Sequence, residues 1–465
     1  MKFKFSFSYF LICQIFLIVF FLIVVSPVSV QAKSNNAQDA AIAELKAAVQ
    51  ALQVEQMRAQ ARIAELEAAL VRQDQARQAV TTKQAPSTAS AITPVVSTQV
   101  STSTTTTTTT TSPAQARIVP VAADAGVVAL PSRFMFSGDM RVRYESNFGV
   151  KGVRNRDRGV LRARLRAAYA VNDWLAVGGQ LATGDPDDPN STDITLSGFD
   201  DDLQVSLDQA YLRLAPGDFQ AYLGKFPQPF ARTELVWDVD VSPQGASASY
   251  AASLGDTKLK ASALYFIVDE AVAGPDSRMI GGQIAMETPP AFLQGELAVG
   301  YYDYSLRSVV GAAAGDFRSN QLVNGRYLSD FDLLDIIAVM TWRGFGERWP
   351  VRFIGDYVHN FGAATKANTG FGTDLQIGRA NQQGDWRFTY GYAQTETDAV
   401  LAAFSHDNTN QATNYLQHTL AIDYILRPNV ALNATYYRYR QKDVPAGFET
   451  LGWQNRLRLN FMAGF

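Results

Sequence analysis

Arginine recurs at alternate positions in three stretches of this 465-residue chain: Arg141 and Arg143, then Arg162, Arg164 and Arg166, and near the end Arg456 and Arg458. The residues between and around them are apolar: Met140, Val142 and Tyr144, then Leu161, Ala163 and Leu165, then Leu457, Leu459 and Phe461. A period of two belongs to a β-strand, whose successive side chains point to opposite faces. Each stretch therefore sets guanidiniums on one face and apolar groups on the other. Guanidinium chemistry is charge recognition by a permanent cation carrying five N–H donors. The last stretch continues through Ala463 to a terminal Phe465. An edge strand of a soluble sheet has the same alternation, but arginines opposite such a face would bury charge in a two-sided core. A transmembrane barrel wall takes both faces, lipid outside and water inside.

In such a wall the side of each arginine is dictated by cost, because arginine at the bilayer midplane is unfavourable by about 2 to 4 kcal/mol. Phe134, Phe136, Met140, Val142 and Tyr144 then face lipid, as do Leu161, Ala163, Leu165 and Tyr169, and all seven arginines face inward. If the last strand closes on the first, the seven form one patch of inner wall. The alternative is that they pair with acidic neighbours such as Asp139 and Glu145 and only stabilise a plug. Catalysis has little to work with. The three histidines, His359, His406 and His418, have no metal-ligand spacing and no serine-centred nucleophile motif beside them. No glycine-rich phosphate loop is present, and no cofactor or metal is expected. An acidic second loop, with Asp185, Asp187, Asp188 and Asp200 to Asp202, is the one place where Ca²⁺ or bridged lipopolysaccharide would fit.

The elements that must position this patch follow from the rest of the chain. Residues 1–32 read as a secretion signal: Lys2 and Lys4, an apolar run over 10–25, and small residues before cleavage after Ala32, with a retained anchor as the alternative. Removing it removes Cys13, the single cysteine, and with it any disulfide or thiolate site. Residues 33–79 hold a coiled coil, with Ile42, Val49, Gln56, Ile63 and Leu70 at one core position and Leu45, Leu52, Ala59 and Leu66 at the other. The same pattern would suit one amphipathic helix packed on the barrel. Residues 80–132, rich in Thr, Ser, Ala and Pro, cannot bury enough apolar surface to fold and read as a disordered tether. From 133 to 465 the pattern predicts an all-β transmembrane barrel of about sixteen antiparallel strands, with short turns alternating with longer polar loops. The first five strands are expected at 134–145, 159–170, 174–183, 207–215 and 219–226. A formal charge of −3 gives no basic excess and argues against nucleic acid.

The third long loop, expected over 227–245, contains Glu234, Asp238 and Asp240 beside Trp237. Here the chain resembles the putative porins of Gram-negative outer membranes, which carry an amino-terminal coiled coil before a sixteen-stranded barrel. The resemblance rests on Arg162-Ala163-Arg164-Leu165-Arg166, Leu207-Asp208-Gln209-Ala210-Tyr211, Gly224-Lys225-Phe226-Pro227-Gln228-Pro229-Phe230, Trp237-Asp238-Val239-Asp240 and the terminal Phe465. The chain departs from it at Ala231-Arg232, where a further aromatic is expected. The resemblance implies that the third loop folds inward as a constriction, with Glu234, Trp237, Asp238 and Asp240 opposite the arginine patch. Opposed fixed charges would set a transverse field across a narrow aqueous gap. It also implies a homotrimer in outer-membrane lipid, a coiled coil in the periplasm that could reach the cell wall, and recognition of Phe465 by the barrel-assembly machinery. The function implied is passive diffusion of ions and small hydrophilic solutes, without enzymatic activity. The alternative is a structural tether between outer membrane and cell wall whose barrel is mainly an anchor.

Overall fold

The computed structural model describes residues 133–150, 153–196, 203–272, 274–309, 319–444 and 452–465. The expected signal, coiled coil and linker lie outside the described residues, as do Asp200 to Asp202 of the second loop.

Sixteen antiparallel strands close into one barrel. They are β1 (Phe134–Phe148), β2 (Arg156–Ala170), β3 (Leu175–Thr183), β4 (Val205–Leu214), β5 (Phe219–Lys225), β6 (Gln244–Leu254), β7 (Thr257–Asp269) and β8 (Ser277–Glu287). The circuit continues through β9 (Leu293–Ser305), β10 (Phe331–Trp342), β11 (Val351–Asn360), β12 (Thr369–Gly378), β13 (Trp386–Thr395), β14 (Tyr415–Arg427), β15 (Val430–Gln441) and β16 (Gln454–Gly464). Each pairs with its neighbours in the chain, and β16 returns to β1 with Asn460 opposite Arg143 and Arg458 opposite Glu145. A short strand, Ile194–Leu196, pairs with the upper part of β2, above the segment that pairs with β3.

Turn chemistry fixes the tight rim. The Asn172 side chain accepts from the N–H groups of Trp174 and Leu175 at 3.0 and 2.8 Å, so the chain reverses at once between β2 and β3. Gly217, Gly255 and Asn429 have φ of 63°, 60° and 62° at the turns after β4, β6 and β14. The long connections all leave from the other rim. At the seam, the backbones of Gly138 and Phe465 exchange two N–H···O bonds of 3.0 Å. The Phe465 ring lies over Gly138, where a Cβ would come within 2.5 Å of it, and packs near Phe136 at 5.9 Å.

The alternation leaves Phe136, Met140, Val142, Leu223, Ile284 and Phe461 exposed on the outer face. Near the tight rim Trp349, Trp386, Phe388 and Tyr424 form part of an aromatic girdle, with Trp386 and Tyr424 centroids 4.4 Å apart. Strand positions depart from expectation only at their ends: β1 runs on to Phe148, β2 begins at Arg156, and β4 occupies Val205–Leu214. The main apolar cluster lies inside the barrel, where residues of the third and seventh long connections pack on β7 to β11.

Candidate functional site

The inner wall formed by β16, β1 and β2 holds all seven arginines of the alternating stretches, and every one of them meets a carboxylate. Asp139 of β1 accepts from Arg162 at 3.1 Å and from Arg164 and Arg166 at 3.0 Å. Glu145, fully buried, takes Arg458 at 2.8 Å, Arg456 at 3.6 Å and an eighth guanidinium, Arg158, at 2.6 Å. Asp193, from the second connection, binds Arg141 and, at 2.7 Å, Arg143. Arg141 and Arg162 stand directly opposite one another across β1 and β2. Two like charges so placed repel, and Asp193 on one with Asp139 on the other offsets the repulsion. Arg141 and Arg143 outweigh the effect of burial and hold the Asp193 carboxyl well below the usual range.

The third connection, residues 226–243, crosses the lumen to reach this wall. It starts against β8, where the Gln283 amide accepts from Ala231 N–H and donates to Ala231 C=O, both at 2.7 Å. It then passes β11, where the Thr233 hydroxyl donates to Asp356. It ends at Asp240, which binds Arg164 at 2.9 Å and lies 4.0 Å from Arg162. Burial would raise the Asp240 carboxyl, but Arg164 and Arg162 keep it below its usual value.

Of the three acidic residues expected to oppose the arginines, Asp240 alone forms an ion pair with them among the described residues. Glu234 accepts from the Asn408 side chain, and Asp238 turns back to accept from the Asp240 N–H at 2.8 Å. Trp237 does not face a gap. It is fully buried, stacked on Phe404 at 5.9 Å and edge-on to Tyr302 at 5.5 Å, so it fastens the loop to the wall. The physical reason is segregation: the apolar residues of the connection find the apolar inner faces of β7 to β10, which leaves only its far end to reach the arginines.

Two participants were not singled out in the sequence. Asp193 looked like one more acid of a polar loop. The seventh connection, residues 396–414, also folds into the barrel, with Ala399 to His406 buried. Its Asn408 is a junction. The side-chain carbonyl accepts from Arg458 at 2.7 Å and from Tyr437 at 3.2 Å, the side-chain amide donates to Glu234, and the backbone carbonyl accepts from Arg456 at 2.8 Å. Inward carbonyls and amides are what unpaired guanidinium N–H groups require, but a loop without period carries no sign of its direction.

Across the lumen, β10, β11 and β12 present Asp335, Asp356 and Asp374. Asp335 accepts from the Tyr302 hydroxyl at 3.1 Å, and Asp356 accepts from the Thr233 hydroxyl. Asp374 lies over Gly391 of β13, where any Cβ would collide with its carboxylate. Of the second-loop acids that are described, Asp185 and Asp188 accept from the backbone N–H groups of Asp187 and Asn190 in the same loop. No group of three or more metal-ligating side chains occurs among the described residues.

Residues 150–306 match the model of the family described as putative porin. No curated protein matches the chain. Among solved structures it is similar to Pseudomonas putida OprB at high pH, at 12% identity over 71% of this chain and 94% of that one, with a TM-score of 0.49. It is also similar to the anion-selective porin from Comamonas acidovorans, at 14% identity over 72% and 100%, with a TM-score of 0.44. A third is Salmonella typhi OmpF in complex with daunomycin, at 10% identity over 72% and 98%, with a TM-score of 0.45.

Proposed function

We infer that this chain is an outer-membrane porin, a passive diffusion channel for ions and small hydrophilic solutes. The observation that carries this reading is the closed sheet whose outer face is apolar and whose inner face holds eight guanidiniums and their carboxylates. Charge in that number is tolerable inside a membrane-spanning barrel only where it is turned from lipid, paired as here or facing water. The family match over residues 150–306 supports the same conclusion.

In this reading the third and seventh connections narrow the lumen from one side, and the arginine wall bounds what is left. A solute between a cationic wall and an acidic one crosses a strong transverse field, which orients dipolar molecules and disfavours apolar ones that must shed water. The residues that set the constriction are Arg141, Arg143, Arg162, Arg164, Arg166, Arg456 and Arg458 with Asp240 and Glu234, while Trp237 and Asp238 hold the loop. Homotrimers, a periplasmic coiled coil and recognition of Phe465 during assembly complete the proposal. Purified protein in a planar bilayer should give discrete conductance steps. Protein that inserts as a folded barrel and never conducts would overturn the channel and leave a membrane anchor.

A further inference from the structure

A cavity of about 80 Å³ lies between the third and seventh connections and the inner faces of β11 to β15. Its lining includes the carboxylates of Glu234, Asp356 and Asp374, the Gln417 amide, the rings of Tyr415 and Tyr437, and His406, whose Nδ1 accepts from the Asn408 N–H at 3.2 Å, and it contains no lysine or arginine. Glu234 and Asp356 are met by neutral donors, the Asn408 amide and the Thr233 hydroxyl. A separate observation concerns Gln417, which is 7% exposed. Its Nε2 donates to Thr419 at 3.2 Å, but its buried carbonyl oxygen has no donor among the described residues. A buried acceptor without a donor is costly. The cavity thus has a surplus of acceptors, three carboxyl groups and the Gln417 carbonyl against no lysine or arginine in its lining.

We propose that this cavity binds a small organic ammonium solute. An –NH₃⁺ group brings three donors and one positive charge, enough for the Gln417 carbonyl and two of the carboxylates. The Tyr415 ring offers a face of the kind that attracts a cation, as Tyr437 already does for Arg458, which lies 5.6 Å from its ring. Size limits the ligand. A water molecule takes roughly 30 Å³ in the liquid, so the cavity accepts an ammonium head and the first carbons behind it. A carboxylate-bearing solute would be repelled, and a neutral alcohol would leave the charge unmet. The inference rests on the channel reading only for the route by which the solute arrives.

Calorimetric titration of the detergent-solubilised full chain with 1,4-diaminobutane, against 1,4-butanediol as the neutral counterpart, tests this. Saturable binding of the diamine and none of the diol is expected. The Glu234→Gln, Asp374→Asn double variant should weaken binding by about tenfold or more, the scale of a lost charge-assisted hydrogen bond. Gln417→Glu should tighten it, which keeps a gain of function in hand if the double variant does not fold. Glu347→Gln, at an exposed site on the tight rim, should change nothing. Equal binding of diol and diamine, no saturation, or unchanged affinity in Gln417→Glu would each overturn the site. Binding without bilayer conductance would leave the site and remove the channel, and conductance without binding would do the reverse.

Discussion

The two charged walls of the lumen are built on opposite terms. On β16, β1 and β2, eight guanidiniums share four carboxylates, Asp139, Glu145, Asp193 and Asp240, drawn from one strand and two loops. On β10 to β12, Asp335, Asp356 and Asp374 form no close ion pair among the described residues: a tyrosine and a threonine hydroxyl meet the first two, and Arg352 and Arg387 act on the third only at longer range. The chemistry of the side chains accounts for the difference. A guanidinium cannot lose its proton in a protein, so a wall of them has to be given counter-ions. A carboxyl can take up a proton or a passing cation, so a wall of acids can be left incomplete. The basic wall is therefore a fixed structural element, and the acidic wall is the one that can respond to its contents.

The largest effect should come from reversing the fixed wall. Replacing Arg162, Arg164 and Arg166 together by Glu would set three new carboxylates beside Asp139 and Asp240. Loss of assembled barrel is expected, seen as loss of the band that migrates fast on gels until heated. The single change Arg166→Gln should assemble, since that side chain is 34% exposed against 8% for Arg162 and 10% for Arg164. Its reversal potential in a salt gradient should move toward cations. Wild-type amounts of the triple variant would mean that pairing does not hold this wall together.

A sharper contrast removes one acid from each wall. Asp139→Asn leaves Arg166 without a carboxylate and Arg162 and Arg164 with Asp240 alone, and should cost about 3 kcal/mol, the lower end for a broken buried pair because water reaches Arg166. Asp356→Asn keeps a hydrogen-bonding group beside Asp335 and Thr233 and strands no cation, so a change within about 1 kcal/mol is expected. Denaturant unfolding in lipid, followed by tryptophan fluorescence, compares the two. Equal losses would abolish the distinction between the walls.

What the sequence disclosed differs between these regions for the same physical reason. Strands have a period, so the inward side of Arg141, Arg162 and Arg458 could be read from alternation and from the cost of arginine in lipid. The tight turns are local as well, as at Asn172-Asp173, where the Asn172 side chain closes the reversal on its own neighbours. Loops have no period. Asp193 lies 50 or more positions from the arginines it binds, and Asn408 lies 48 and 50 from Arg456 and Arg458. Nothing local marks either as inward. Trp237 was expected at the gap because the resemblance implied that its whole loop faces the arginines. Its burial depends on Tyr302 and Phe404, far along the chain.

Asn408 joins the basic wall to the third connection, which makes it the place to uncouple them. Asn408→Ala removes the side-chain bonds to Arg458, Tyr437 and Glu234. The seventh connection should then loosen from the third and the single-channel conductance should rise, with the barrel still assembled. Conductance identical to the parent protein would show that these contacts do not set the width of the path.

The smallest effect concerns pH, and it separates a wall that cannot titrate from a loop that can. Burial, with the Asp407 carboxylate adding to it, pushes Glu234 up to about 7 from an ordinary 4.5. The arginines keep their charge throughout this range. The ionised fraction of Glu234 should go from about a tenth at pH 6 to about nine-tenths at pH 8, so cation preference should rise across that window. The shift should be clearest at low salt, where fixed charge is felt beyond the roughly 8 to 10 Å Debye length of ordinary saline. Stability runs the other way. Between about 4.5 and 7 the unfolded chain has released this proton while the folded barrel still holds it, so the contribution of Glu234 to folding falls as pH rises. Reversal potentials at pH 6 and pH 8 decide the matter, with Glu234→Gln as the comparison. That variant should show a flatter profile, and a profile as steep as the parent's would assign the titration to another group.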